Sequence, residues 1–193
     1  MDHTLLVLGL LKLQEMHGYQ LSDLVERRLK YLTDLKKPTL YHILGKLETA
    51  GDVTKSASRD GNRPERFTYR LTKSGTEHFE QLLRQNLQDA HDTYFNDDIG
   101  MLFLSEIPAA QARTFLEQKR ASMKERIEHT VDAVAKHSVG TPPYYTLRHH
   151  EMHLRTELDW LDELLAQMKK RAVREDILEC LGETNEKTKR KKK

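Results

Sequence analysis

One cysteine, Cys180, stands in 193 residues, so no disulfide can close within the chain and a cysteine-based zinc site in one chain is argued against. A single thiol also fits a reducing cytosol, and a cytoplasmic protein is expected. No apolar run approaches the about 20 residues of a membrane span. The richest stretch, Leu5 to Leu11, follows Asp2 with no upstream cation, so the basic start of a secretory signal is missing. Catalytic signatures are missing too: there is no glycine-rich phosphate loop, no G-x-S-x-G elbow and no nucleophile beside a base. His150-Glu151-Met152-His153 falls one residue short of the zinc-protease pattern. Neither enzymatic activity nor a cofactor is expected. Net charge is only +2, which excludes a whole-molecule electrostatic argument for nucleic acid. With 32% charged residues and a mean hydropathy of -0.73, the chain reads as helix-rich with much solvated surface.

Charge is instead concentrated locally. From Lys36 to Lys73 there are nine cations against four carboxylates, a basic footprint on one contiguous segment. Within it, Leu40, Ile43, Leu44 and Leu47 recur at helical spacing, with Pro38 suited to a first turn and Gly51 to the position past the end. The opposite face carries Thr39, Tyr41, His42, Lys46 and Thr49, led in by Lys36 and Lys37. Short polar groups and cations on one helix face are what a DNA major groove can use. An amphipathic helix with a merely solvated face has the same pattern, so the flanks decide. Before it lie a short apolar helix over Leu5 to Leu13 and a second from about Tyr19 to Arg28, with Leu21, Leu24, Val25 and Leu29 inward. Three helices ending in a basic one have the layout of a helix-turn-helix.

After Gly51 the period changes to two. Val53, a polar run to Ser58, the Asp60-Gly61-Asn62 turn, then Phe67, Tyr69 and Leu71 alternating with Thr68 and Arg70 predict a β-hairpin. Arg59, Arg63 and Arg66 surround its tip, so the hairpin reads as a wing that reaches phosphate or the minor groove. A new helical run carries Phe79, Leu82, Leu83, Leu87 and Ala90, and the apolar stretch Tyr94 to Leu104 reads as a hinge.

The second half predicts two long helices. One runs from Pro108 to about Ser138 with Leu116, Met123, Ile127, Val131 and Val134 inward, and Gly140-Thr141-Pro142-Pro143 stops it. The other, about Tyr144 to Val173, steps by alternating four and three through Leu147, Glu151, Leu154, Leu158, Leu161, Leu165 and Met168, a coiled-coil seam. Trp160 and Leu164 widen the stripe, which points to a second chain. Leu154, Leu158, Trp160, Leu161, Leu164 and Leu165 are the candidate dimerisation residues. Packing against the Phe95 to Leu104 patch is the alternative. Lys187 to Lys193 is a like-charge block that predicts a disordered tail.

Three stretches together resemble the PadR family of winged-helix transcription regulators. They are Leu8-Gly9-Leu10-Leu11 with Met16-His17-Gly18-Tyr19, then Pro38-Thr39-Leu40-Tyr41 through Gly51, then Gly61-Asn62-Arg63-Pro64 through Gly75. The likeness covers roughly residues 5 to 90; the remainder resembles, in layout and length, the C-terminal domain of virulence-gene activators. It implies a homodimer on a pseudo-palindromic double-stranded operator, usually repressing, with small-molecule control in some members. Gly45, Asp52 and His42 depart from the family pattern. Gly45 stands where a cation is common and Asp52 where an apolar residue is usual.

The expected architecture is therefore mainly α with a small β-hairpin wing. A winged helix-turn-helix domain (1–90) precedes an antiparallel coiled-coil dimerisation domain (91–181), which is also the candidate effector domain, and a basic tail (182–193). Lys37, Thr39, Tyr41, His42, Lys46, Arg59, Arg63 and Arg66 are the candidate DNA contacts. Two other readings stay open. One is a metal-responsive regulator using His149, His153 and Glu157; the other is a winged-helix protein acting through protein partners. Trp160 with Tyr144 and Tyr145 could alternatively line an aromatic effector site, against ordinary core packing.

Overall fold

Leucine crowds helix α1 (His3–Leu13), which buries Val7, Leu8, Leu10 and Leu11. The computed structural model describes residues 3–58, 66–90, 92 and 94–170. After α1 the chain runs extended through β1 (Met16–His17) and enters α2 (Gly18–Asp23), whose last turn widens into a π turn over Leu24–Arg28. Helix α3 (Lys37–Thr49) begins with Pro38 in its first turn and buries Leu40, Leu44 and Leu47. Complete burial of a leucine such as Leu40 or Leu44 is worth roughly 1.5–3 kcal/mol. These side chains join Val7, Leu8, Leu21, Val25, Leu35, Val53 and Tyr69 in one core.

Gly51 takes φ 78, a left-handed conformation that turns the chain from α3 into β2 (Val53–Ser58). Strand β3 (Arg66–Leu71) returns antiparallel, Val53 facing Leu71 and Ser58 facing Arg66. The predicted hairpin is one part of a three-stranded sheet, because β1 adds to the far edge of β3 with Met16 opposite Tyr69. Of the predicted inward set, Tyr69 is buried, Leu71 half-buried and Phe67 exposed. Phe67 lies toward the outer end of the hairpin, where the Lys55 ammonium sits 4.1 Å from its ring centroid.

Helix α4 (Lys73–Gln88) starts at a built corner. The Thr72 hydroxyl accepts from the Gly75 amide at 3.0 Å, and Thr72 in turn donates its own amide to the Asp52 carbonyl. The Asp52 carboxylate, buried, accepts from the Ser74 hydroxyl at 2.9 Å and lies 2.7 Å from His78 Nδ1. Phe79 and Leu82 pack on the core, whereas Leu87 is exposed, since α4 projects past the layer that covers its first turns.

The chain divides after Asp92. In the second unit α5 (Asn96–Leu102) and a 3-10 turn (Leu104–Glu106) precede α6 (Ala109–Val134) and α7 (Pro142–Lys170). Leu116 packs with Leu161 and Leu165, and Met123 and Ile127 with Leu154, so contacts run up one helix and down the other: α6 and α7 are antiparallel. Along the predicted seam Leu147, Glu151, Leu154, Leu161 and Leu165 are buried and Leu158 and Met168 half-buried. Of the α6 positions expected inward, Leu116, Met123 and Ile127 are buried and Val134 is half-buried, whereas Val131 is exposed. Among the described residues no helix is long and apolar enough to cross a membrane.

Candidate nucleic-acid interface

The core positions of α3 fix which residues face away from it. At about 100° per residue, burying Leu40, Leu44 and Leu47 turns His42, Gly45 and Thr49 directly outward, flanked by Thr39 and Lys46 on one side and Tyr41 on the other. All six are exposed at their positions, as is Lys37. No ion pair engages Lys36, Lys37 or Lys46 among the described residues, so their charge is available to an external anion. Thr49 is committed locally, its hydroxyl donating to the Gly45 carbonyl at 2.9 Å. A side chain at Gly45 would meet nothing within 4 Å, so the departure there leaves a gap in the middle of the outward face.

Tyr41 stands on the side facing the sheet, its ring so close to Gly18 that a Cβ there would come within 2.8 Å of it. Beside it the Tyr69 phenol is pushed above its ordinary value by burial, with the Glu48 carboxylate and Tyr41 adding to the effect. Next along β1, the His17 ring stacks on Tyr19 at 5.5 Å, and the Arg66 guanidinium lies 5.6 Å from the Tyr19 ring. His17 Nδ1 is 2.9 Å from the Thr68 hydroxyl, which ties this stack to the wing. Tyr19, half-exposed, was absent from the candidate contacts; the Met16-His17-Gly18-Tyr19 motif was the one signal that could have found it. Other cations of the basic segment are neutralised: Arg70 binds Glu15 and Lys55 lies 4.0 Å from Glu48. Arg59, Arg63 and the turn they flank lie outside the described residues.

In the second unit the candidate dimerisation set divides. Leu161 and Leu165 are buried with Leu116 of α6 beside Met101 and Leu104, at the end of the Phe95 to Leu104 patch, whereas Leu154 is buried on Met123 and Ile127 of α6. Leu158 and Leu164 are half-buried and Trp160 is exposed, with the Lys119 ammonium 5.6 Å from its ring. The aromatic trio is not assembled: Tyr144 and Tyr145 meet edge to face, but Trp160 follows some sixteen residues later, roughly 24 Å along the helix. Nor does Glu157 join the histidines. His149 and His153 face each other, while the Glu157 carboxylate accepts from Lys119 at 3.0 Å. Among the described residues no group of three metal-ligating side chains occurs.

Comparison with known proteins accounts for this geometry. Residues 7–81 match the transcriptional regulator PadR-like family, and residues 101–169 match the virulence activator alpha C-terminal family. No curated protein sequence matches the chain. Among solved structures it is similar to Bacillus subtilis PadR in complex with operator DNA, at TM-score 0.74 and 21% identity over 86% of this chain and 98% of that one. It is similar also to Bacillus subtilis PadR in complex with p-coumaric acid, at TM-score 0.66 and 20% identity over 86% and 94%. The Vibrio cholerae virulence activator AphA gives TM-score 0.65 and 18% identity over 86% and 98%. At such identities the structural likeness is one of fold, and the two family matches lie in series along the chain. The chain carries a transcriptional regulator PadR-like family domain over residues 7–81, followed in sequence by a virulence activator alpha C-terminal domain over residues 101–169.

Proposed function

We propose that this chain is a cytoplasmic, sequence-specific DNA-binding repressor that grips a pseudo-palindromic operator as a homodimer. The observation that carries the reading is the outward face of α3, where Thr39, His42 and Lys46 are exposed away from buried Leu40, Leu44 and Leu47, with Lys37 exposed in the first turn. In this reading α3 enters the major groove, with Lys46 and Tyr41 on phosphate and Thr39 and His42 within reach of base edges. Arg59, Arg63 and Arg66 supply the wing's cations to backbone or minor groove. Two copies would set their α3 helices about 34 Å apart. The second unit supports a second copy through apolar side chains its own core leaves outside, among them Ile99, Leu102, Phe103, Phe115 and Trp160. A small-molecule effector that favoured one arrangement of the paired helices would shift operator affinity by its differential binding. In the complex of Bacillus subtilis PadR with p-coumaric acid a protein of similar fold holds a small molecule, which supports looking for one here.

The test is selection of bound fragments from sheared genomic DNA, followed by salt titration of the best binder with wild type and Lys46→Ala. The expected result is one enriched site with inverted half-sites and a steep fall of log K with log salt. Lys46→Ala should reduce that slope by about 1. Equal, weakly salt-dependent binding to any duplex would overturn the reading in favour of protein partners.

A further inference from the structure

The two histidines of α7 left without Glu157 are arranged for a simpler task. His149 Nε2 and His153 Nε2 lie 3.0 Å apart, their rings nearly perpendicular at 88°. Both side chains are exposed, on the side of α7 away from its buried seam. An ion about 2.0–2.1 Å from each of two imidazole nitrogens, with an angle between a right angle and a tetrahedral one, holds them roughly 2.9–3.4 Å apart. The observed separation falls in that interval. One turn of helix provides it because residues i and i+4 stack on one face. We propose that His149 and His153 form a bidentate site for a divalent transition-metal ion.

The donor set selects the ion. Two neutral imidazoles with neither carboxylate nor thiolate suit Cu²⁺, Ni²⁺ and Zn²⁺ rather than Mg²⁺ or Ca²⁺, with Cu²⁺ held most tightly. Two carboxylates neighbouring the pair along α7 are engaged elsewhere: Glu151 is clasped by Arg148 and Arg155, and Glu157 by Lys119. Water therefore completes the coordination sphere. In the metal-free pair one ring donates its Nε2 proton to the other; on binding, that ring moves its proton to Nδ1 and both Nε2 lone pairs meet the ion. No net proton is released when both rings start neutral.

The experiment uses untagged full-length protein carrying His3→Ala, which removes the amine–amide–imidazole chelate that Met1-Asp2-His3 would itself offer to Cu²⁺. It titrates this protein with Cu²⁺ by calorimetry and records the electron paramagnetic resonance of the bound ion. One Cu²⁺ per chain with two imidazole nitrogens in its spectrum is expected. His149→Ala and His153→Ala should each weaken binding by about 10²-fold or more, since joining two donors on one scaffold gains roughly 10²–10⁴ over either alone. His129→Ala, which removes an exposed histidine lying 3.7 Å from Glu125, and Cys180→Ser should leave binding intact. Circular dichroism of each variant verifies that α7 is formed. Copper bound equally well by His149→Ala, or no binding by the folded His3→Ala parent, would overturn the proposal.

Discussion

Among the described residues each unit of this molecule buries one carboxylate and holds it with two partners, but the partners come from different places. Asp52 sits at the corner after α3, and its partners Ser74 and His78 belong to α4, 22 and 26 residues on. Glu151 sits in the seam of α7, and its partners Arg148 and Arg155 are its own helical neighbours at i−3 and i+4. Those hydrogen bonds and charges, Arg148 foremost, hold the Glu151 carboxyl below its ordinary range. The first arrangement ties two elements together; the second makes one buried charge tolerable without joining anything. A similar degree of burial therefore implies different consequences for the fold, and for the interface that the first corner positions.

The largest expected effect lies at that corner. A Cβ on Gly75 would stand 2.0 Å from the Asp52 carbonyl oxygen, a contact with backbone that no side-chain rotation relieves. Gly75→Ala should destabilise the first unit by about 3 kcal/mol or more. For a unit of that size each kcal/mol moves the melting midpoint by about 4–8 °C. Thermal melts followed at the sheet's amide I infrared band, which is separate from that of the helices, measure this, and an unchanged midpoint would remove the corner from the account.

A pair of substitutions sharpens the contrast. Asp52→Ala leaves Ser74 and His78 without their shared acceptor and should cost about 1–3 kcal/mol. Glu151→Leu should stay within about 1 kcal/mol of wild type or exceed it, because leucine completes the apolar seam. Its two arginines can return to water: their side chains are already 44% and 53% exposed. Trp160 is the sole tryptophan and lies in α7, so its fluorescence reports the second unit alone. Asp52→Ala should lower the sheet's transition and leave the tryptophan transition in place. Equal losses from both substitutions would break the comparison.

The same distinction explains how much could be read from the sequence. The core faces of α3 and α7 were legible because Leu40, Leu44 and Leu47, and the four-three steps from Leu147 to Leu165, repeat within one element. Strand β1 was not, since two residues carry no period and its partner Tyr69 lies far along the chain. Asp52 read as a departure from the family and became intelligible only once Ser74 and His78 stood beside it. The seam itself was ambiguous in kind: Leu154, Leu161 and Leu165 make the same heptad whether the partner is another chain or α6. The i, i+4 spacing of His149 and His153 was visible, but Lys119, which draws Glu157 away from them, comes from a different helix. Within the candidate interface, exposure followed from the helical period. Neutralisation of Arg70 by Glu15 required the fold.

The smallest expected effect is an alkaline one confined to the first unit. Tyr69 is buried at 5% exposure, and burial, then Glu48 and Tyr41, raise its phenol above the ordinary value of about 10. As pH climbs past that value the unfolded chain loses the phenolic proton first, while the folded chain still holds it. The stability contributed by the neutral phenol is complete below about pH 10 and is lost as pH rises through the folded value. Tyr69→Phe keeps the ring and removes the proton, so near neutrality its midpoint should stay close to that of wild type. Between pH 9 and 11, values chosen to bracket the ordinary phenol on the order of one unit each way, the sheet's transition should fall less steeply in the variant. The Trp160 transition should follow the same course in both proteins. A variant that lost sheet stability as steeply as wild type would show that the alkaline response arises outside the α3–β3 contact, and that the ties of the first unit extend further than its corner.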